Sequence, residues 1–143
     1  MAHLKKNTRG AVPGLAVHFE RKTDHHTNKE IDVSKSYLNQ DLMADGSDML
    51  SRFNARLNDV YCMKRDDVKV LATWIVTLPE ELTEAPYEQQ SAFLEATTNF
   101  LNDRYGQENT VAAVVHYDET APHLRYAFSL VFLYNHPCKN RLK

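Results

Sequence analysis

Two apolar runs lie within residues 111–132, separated by a short polar turn, and runs of that length and spacing close most simply as an antiparallel hairpin. His116 ends the first run and His123 opens the second, so pairing them brings the two rings close together. Side chains alternate along a strand, so Arg125 shares the face of His123, whereas Leu124, Tyr126 and Phe128 point the other way. With the apolar face on the core, the His/Arg face is left for chemistry. Asp118 and Glu119 in the turn add two carboxylates within reach. Such a group can hold a divalent cation against a phosphate.

The 143 residues suit one domain that buries about two-thirds of its surface. Cys62 and Cys138 have no C-x-x-C spacing and read as free thiols. No apolar run spans a bilayer, and the polar, basic N-terminus lacks a signal-peptide core, so a reducing cytoplasm is the expected location. Charge is unevenly distributed: residues 1–35 carry a net +3 and residues 79–121 a net −8. A phosphate-facing N-terminal segment with an acidic outer helix accounts for this, as does a scatter of solvated charge.

Along the chain, a short strand is expected at 14–19, followed by a polar stretch at 22–35 that either wraps a ligand or forms a surface loop. Ser47 or Asp48 can cap a helix carrying Leu50, Phe53, Leu57, Val60 and Tyr61 at helical spacing. The strand at 68–78 is apolar on both faces, with Val70, Ala72, Trp74 and Val76 on one and Leu71 and Ile75 on the other. A second helix runs from Pro86 to Tyr105, with Gly106 to end it and Phe93, Leu94, Thr97, Phe100, Leu101 and Arg104 as its inward stripe. Residues 133–143 form a basic tail with no assigned structure. The pattern predicts an α+β domain: an antiparallel sheet with helices packed on one face.

Five stretches, in order, resemble the MobV (Mob/Pre) plasmid mobilisation relaxases. They are His-x-x-Arg at 18–21, Ile-Asp-Val-Ser-Lys-Ser-Tyr-Leu-Asn-Gln-Asp-Leu at 31–42, Trp-Ile-Val-Thr-Leu-Pro at 74–79, Arg-Tyr-Gly-Gln-Glu-Asn at 104–109, and His-Tyr-Asp-Glu-Thr-Ala-Pro-His-Leu-Arg at 116–125. The resemblance implies an HUH endonuclease-type fold over residues 1–132. It also implies an enzyme that nicks one strand at a plasmid transfer origin and stays attached to the 5′ phosphate. By the same resemblance, His18 is the nucleophile, and Arg21 contacts phosphate or orients that nucleophile. His116 and His123 are two of three metal ligands, for Mn²⁺ or Mg²⁺, and Glu119 is the motif's acid. Asp118 or Glu119 would orient a ligating imidazole or ligate directly.

Two positions depart from the family. Arg125 stands where a third metal histidine is expected, and Gln40 where a DNA-touching tyrosine is expected. Lys22, Asn39, Gln40 and Tyr105 are the positions expected to meet DNA, Tyr105 by stacking on a base. The implied partner is origin-of-transfer DNA, single-stranded and as supercoiled duplex. Dimerisation through the region that the family carries beyond the hairpin is also implied, with no small-molecule cofactor. Two further readings stay open: a weakened domain that binds origin DNA without efficient nicking, and a metal-dependent phosphoesterase. His25 and His26 are expected in a solvated loop, Trp74, Phe93 and Phe100 in the core, and Glu80, Glu81, Glu84 and Glu88 on a solvated face.

Overall fold

The computed structural model describes residues 1–23, 25–43, 45–59 and 65–130. In chain order these form β1 (Ala2–Thr8), α1 (Val12–Glu20), β2 (Gln40–Asp41), α2 (Met49–Asp59), β3 (Lys69–Thr77), α3 (Tyr87–Tyr105), β4 (Thr110–His116) and β5 (His123–Ser129). The strands make one sheet in the order β1-β3-β5-β4-β2, and every pair is antiparallel. The hairpin forms with His116 opposite His123, Val114 opposite Arg125 and Val115 opposite Leu124. β3 lies between β1 and β5, and its neighbours Leu71 and Ala72, on opposite faces, are both 0% exposed.

That two-sided burial shows where the helices sit. The α+β class and the antiparallel sheet are as the sequence indicates, but the helices do not share one face. Leu94 and Leu101 of α3 pack with Ala72, Ala113, Val115, Leu124, Tyr126 and Phe128. Val12, Ala16 and Phe19 of α1 and Met49 and Phe53 of α2 pack with Leu71, Ala112 and Ala127, which alternation puts on the opposite face. The His/Arg face is therefore roofed at one end by α1 and α2 rather than open along its length.

The strand expected at 14–19 is the body of α1. Val12, Ala16 and Phe19 are its buried residues, a four-then-three spacing that fits a helix and not a strand, and proline stands in its first turn. β1 was not visible in the sequence because only Asn7 of its seven residues is buried. It is an edge strand, and Lys5 and Lys6 discourage pairing with another chain there. α2 starts where expected, with Asp48 accepting from the Ser51 N–H at 2.8 Å. Its expected residues Val60 and Tyr61 lie outside the described residues, as do Cys62, Cys138 and the tail. α3 buries Leu94, Thr98 and Leu101. Phe100, expected inward, is 62% exposed, and Arg104 is also outside the buried stripe. Gly106 ends α3 at φ 89°, backbone that side chains rarely adopt. No helix among the described residues is long and apolar enough to cross a membrane.

Candidate metal and phosphate site

The hairpin register sets His116 and His123 side by side, with ring centroids 5.4 Å apart and planes at 85°. Both are buried. His116 Nε2 lies 2.8 Å from the Phe19 carbonyl and His123 Nδ1 lies 3.0 Å from the Ala121 carbonyl. A carbonyl oxygen can only accept, so those nitrogens carry the protons and the lone pairs sit on the opposite ring atoms. Those atoms, His116 Nδ1 and His123 Nε2, are buried without a hydrogen-bond partner. One ligand atom from each of His116, Glu119 and His123 lies within 4.8 Å of the others. Two orphaned imidazole lone pairs and a carboxylate fit a divalent cation, and the two carbonyls fix the rings as outer partners do in metal sites.

Arg21 assembles the surroundings. Its backbone ends α1 in the left-handed region, at φ 51°, and it is the only non-glycine among the described residues with positive φ. From there Nε and Nη2 donate to Asp118 at 2.8 and 2.9 Å, and Nη2 also donates to Glu119 at 2.8 Å. Nη1 donates to the His18 carbonyl at 2.9 Å and stands 3.4 Å from His18 Nδ1. All five guanidinium N–H groups are thereby engaged within the protein. Asp118 also accepts from Ser36 Oγ at 2.6 Å and Asn39 Nδ2 at 3.0 Å. Its oxygens take four hydrogen bonds from those donors, so Asp118 braces the turn, and the imidazoles are oriented by carbonyls instead. Glu119 is the carboxylate within ligand reach. Ser36 lies in the stretch at 31–42, but a lone serine there carries no signal of its own that it would meet Asp118.

His18, on the last turn of α1, presents its ring edge-on to His116 with centroids 6.0 Å apart. Burial, then the charges of Arg125 and Arg21, lower its pKa to about 4. Burial lowers His116 to about 3 and lowers His123 as well. Burial works against the Asp118 charge, yet hydrogen bonds from Arg21, Ser36 and Asn39 hold it well below the usual carboxylate range. Glu119 is lowered too: burial opposes its charge, but the Arg21 hydrogen bond and nearby positive charge prevail.

The three rings are thus neutral near neutrality. Below the ordinary imidazole pKa of 6.5 the unfolded chain takes up protons that the folded chain refuses until about 4 for His18 and about 3 for His116. Stability from these groups is complete above that ordinary value and is lost as pH falls; the two carboxylates add a loss of the same sign at lower pH. The melting temperature of the metal-free protein, measured by calorimetry in chelator, should fall as pH is taken from neutrality toward 4. In His116→Phe the fall should be shallower; an equal fall would contradict the assignment.

Other expected contacts divide. Asn39 belongs to the site as scaffolding: besides donating to Asp118, it accepts from the Tyr117 N–H at 2.7 Å. Gln40, opposite Val115, lies on the α3 side of the sheet, where its amide donates to the Tyr87 hydroxyl. Lys22 stays at the surface, 3.4 Å from Glu20 and 3.6 Å from Asp48. Tyr105 is not at the site. Its ring stacks on Phe128 at 3.8 Å and its hydroxyl accepts from Trp74 Nε1 at 3.2 Å, in the α3 core on the opposite face. His25 is exposed and His26 half-buried.

An antiparallel sheet bearing paired histidines on neighbouring inner strands, with a third at an adjoining helix end, defines an HUH-type α+β domain with a candidate metal centre. The family model for plasmid recombination enzymes (Mob_Pre) matches residues 1–139, and the chain belongs to that family. It is 34% identical over 129 residues to a plasmid recombination enzyme of Lactiplantibacillus plantarum, covering 87% of this chain and 36% of the relative. A Bacillus thuringiensis plasmid recombination enzyme is 30% identical over 128 residues, covering 85% and 28%. The chain thus spans about a third of the length of the curated relatives it matches. Among solved structures it is similar to the Mn-bound relaxase domain of MobM on plasmid pMV158 oriT DNA. That likeness has a TM-score of 0.78 and 28% identity, over 90% of this chain and 68% of the other.

Proposed function

We propose that this domain nicks and rejoins one DNA strand at a plasmid transfer origin, with His18 as the nucleophile. The observation that carries the proposal is the convergence of a neutral His18 ring on the orphaned lone pairs of His116 and His123 beside Glu119. In the step we infer, a ring nitrogen of His18 attacks phosphorus, a P–N bond forms, and the bond to the 3′ oxygen breaks. That oxygen leaves with a proton drawn from solvent. Neutrality matters because a protonated ring has no lone pair to offer, and burial secures it. Arg21, fastened to the His18 carbonyl and to the turn at 118–119, keeps nucleophile and ligands in fixed relation, which supports an orienting role for it. His116, His123 and Glu119 would hold a divalent cation, which supplies Lewis-acid charge to a non-bridging phosphate oxygen. Tyr37, 81% exposed on the turn that Ser36 fastens to Asp118, offers a ring for an unpaired base. The MobM domain, solved on oriT DNA with Mn, is consistent with this reading.

Two imidazoles and one carboxylate suit Mn²⁺ better than Mg²⁺, which prefers all-oxygen surroundings. Supercoiled plasmid DNA carrying the cognate transfer origin should therefore give nicked circles bearing covalent protein in Mn²⁺, fewer in Mg²⁺ and none in chelator. The linkage should be acid-labile and alkali-stable, as a phosphoramidate is. His116→Ala should bind Mn²⁺ at least about ten-fold more weakly. An adduct that forms equally well in chelator would overturn the metal assignment, and a supercoiled substrate left intact would overturn the nicking proposal.

A further inference from the structure

Resting on that reading, we propose that Arg125 is the phosphate-holding cation of this site and that it makes divalent-cation binding depend on a DNA phosphate. The two arginines of the site differ in what they leave unpaired. Every N–H of Arg21 is engaged by Asp118, Glu119 and His18. Among the described residues Arg125 has no such hydrogen-bond partners. Its closest carboxylate oxygen, on Glu119, is 4.0 Å from Nη2, beyond hydrogen-bond reach, and its Nε is buried with no acceptor. Its side chain is only 16% exposed, with the guanidinium carbon 6.0 Å from the centre of the Phe19 ring. A guanidinium cannot shed its proton, so burying one with unanswered donors is costly unless an oxyanion arrives to accept from them.

Its position is right for a phosphodiester oxygen. Arg125 lies two residues beyond His123 on the same face of β5, opposite Val114, and its charge acts on His18 and on His116. A phosphate poised for attack by His18 therefore comes within the field of Arg125, which can grip a non-bridging oxygen with its planar fork.

The charge balance gives the second half. Around the neutral rings stand two guanidinium cations, Arg21 and Arg125, and two carboxylates, Asp118 and Glu119. These four side-chain charges balance one another. A divalent cation entering between His116, His123 and Glu119 disturbs that balance and meets repulsion from Arg125 close by. A phosphodiester arriving with it restores part of the balance and draws the guanidinium away from Glu119. Cation and DNA should then bind with positive coupling, and linkage requires the effect to be equal in both directions.

The test uses the whole chain carrying His18→Gln to prevent cleavage, with mixed-sequence single-stranded DNA as probe, because phosphate contacts do not read sequence. DNA affinity is measured by fluorescence anisotropy in chelator and in Mn²⁺, and Mn²⁺ affinity by calorimetry with and without DNA. Each ligand should tighten the other about ten-fold or more. Adding Arg125→Gln should weaken DNA binding in chelator about ten-fold, tighten Mn²⁺ binding in the absence of DNA, and lower the coupling severalfold, to what direct attraction between cation and phosphate leaves. Arg125→Lys, which keeps the charge without the fork, should fall between and guards against misfolding as the cause. If DNA binds but the coupling is unchanged in Arg125→Gln, the proposal is overturned while the relaxase reading stands. If the chain binds no DNA in either condition, both fail together.

Discussion

Arg21→Met should lower the free energy of unfolding by about 3–5 kcal/mol, the usual consequence of stripping the partner from a buried charge. The Arg21 and Asp118 side chains are 7% and 0% exposed, and Arg21 supplies Asp118 with two of its four hydrogen bonds. Without the guanidinium, Ser36 and Asn39 must answer a full carboxylate charge alone, and Glu119 loses its shortest contact. Urea denaturation in chelator measures the loss. The pH dependence adds a second check: in the variant, Asp118 can relieve its isolation by taking a proton, so the penalty should shrink as pH falls. Arg21→Lys should recover only part of the stability, because an ammonium cannot make the paired contact. A loss below about 1 kcal/mol would mean that the pair is solvent-screened like an ordinary surface bridge.

His18→Gln should reduce nicking by at least about 1,000-fold while leaving DNA affinity and melting temperature nearly unchanged. The ring is half-buried and its side chain makes no hydrogen bond shorter than 3.4 Å, so the fold does not lean on it. A glutamine amide retains bulk and polarity but offers phosphorus no comparable nucleophile. Covalent protein–DNA adducts resolved on denaturing gels give the readout. If His18→Gln still forms an adduct, the nucleophile is another residue, and Tyr37, exposed beside the same turn, is the first to replace.

The pairing at the centre of the site was legible because period-two patterning, run length and turn length together leave little freedom in a hairpin register. His116 facing His123 follows from these alone. The two-faced strand β3 and the long helix α3 were legible for similar reasons of length and apolar content. α1 was not. Over only six residues, Leu15, Val17 and Phe19 mimic strand alternation, and the helical spacing appears only when Val12 is included. Once 14–19 is read as a strand, nothing remains to roof the histidine face, which is why the helices were expected on one side.

The division of labour inside the site lay beyond sequence for a different reason. Which arginine is tied up and which has open donors depends on contacts spanning about a hundred residues, such as Arg21 with Asp118 and Glu119. The hands that set the imidazole tautomers are the carbonyls of Phe19 and Ala121, and backbone oxygens have no signature in a string of side chains. Tyr105 shows the converse. A tyrosine within a family motif invites a ligand role, yet its ring stacks on Phe128 and its hydroxyl accepts from Trp74.

Consecutive residues at the end of α1 serve opposite partners: His18 carries the reactive ring, while the Phe19 carbonyl steers His116. Rotating or sliding this helix terminus by even a fraction of a turn would misalign the attacking atom and detune a ligand in the same movement. Anyone transplanting this chemistry to another scaffold must therefore carry residues 12–21 and the hairpin as a single indivisible cassette, because neither half holds its geometry without the other.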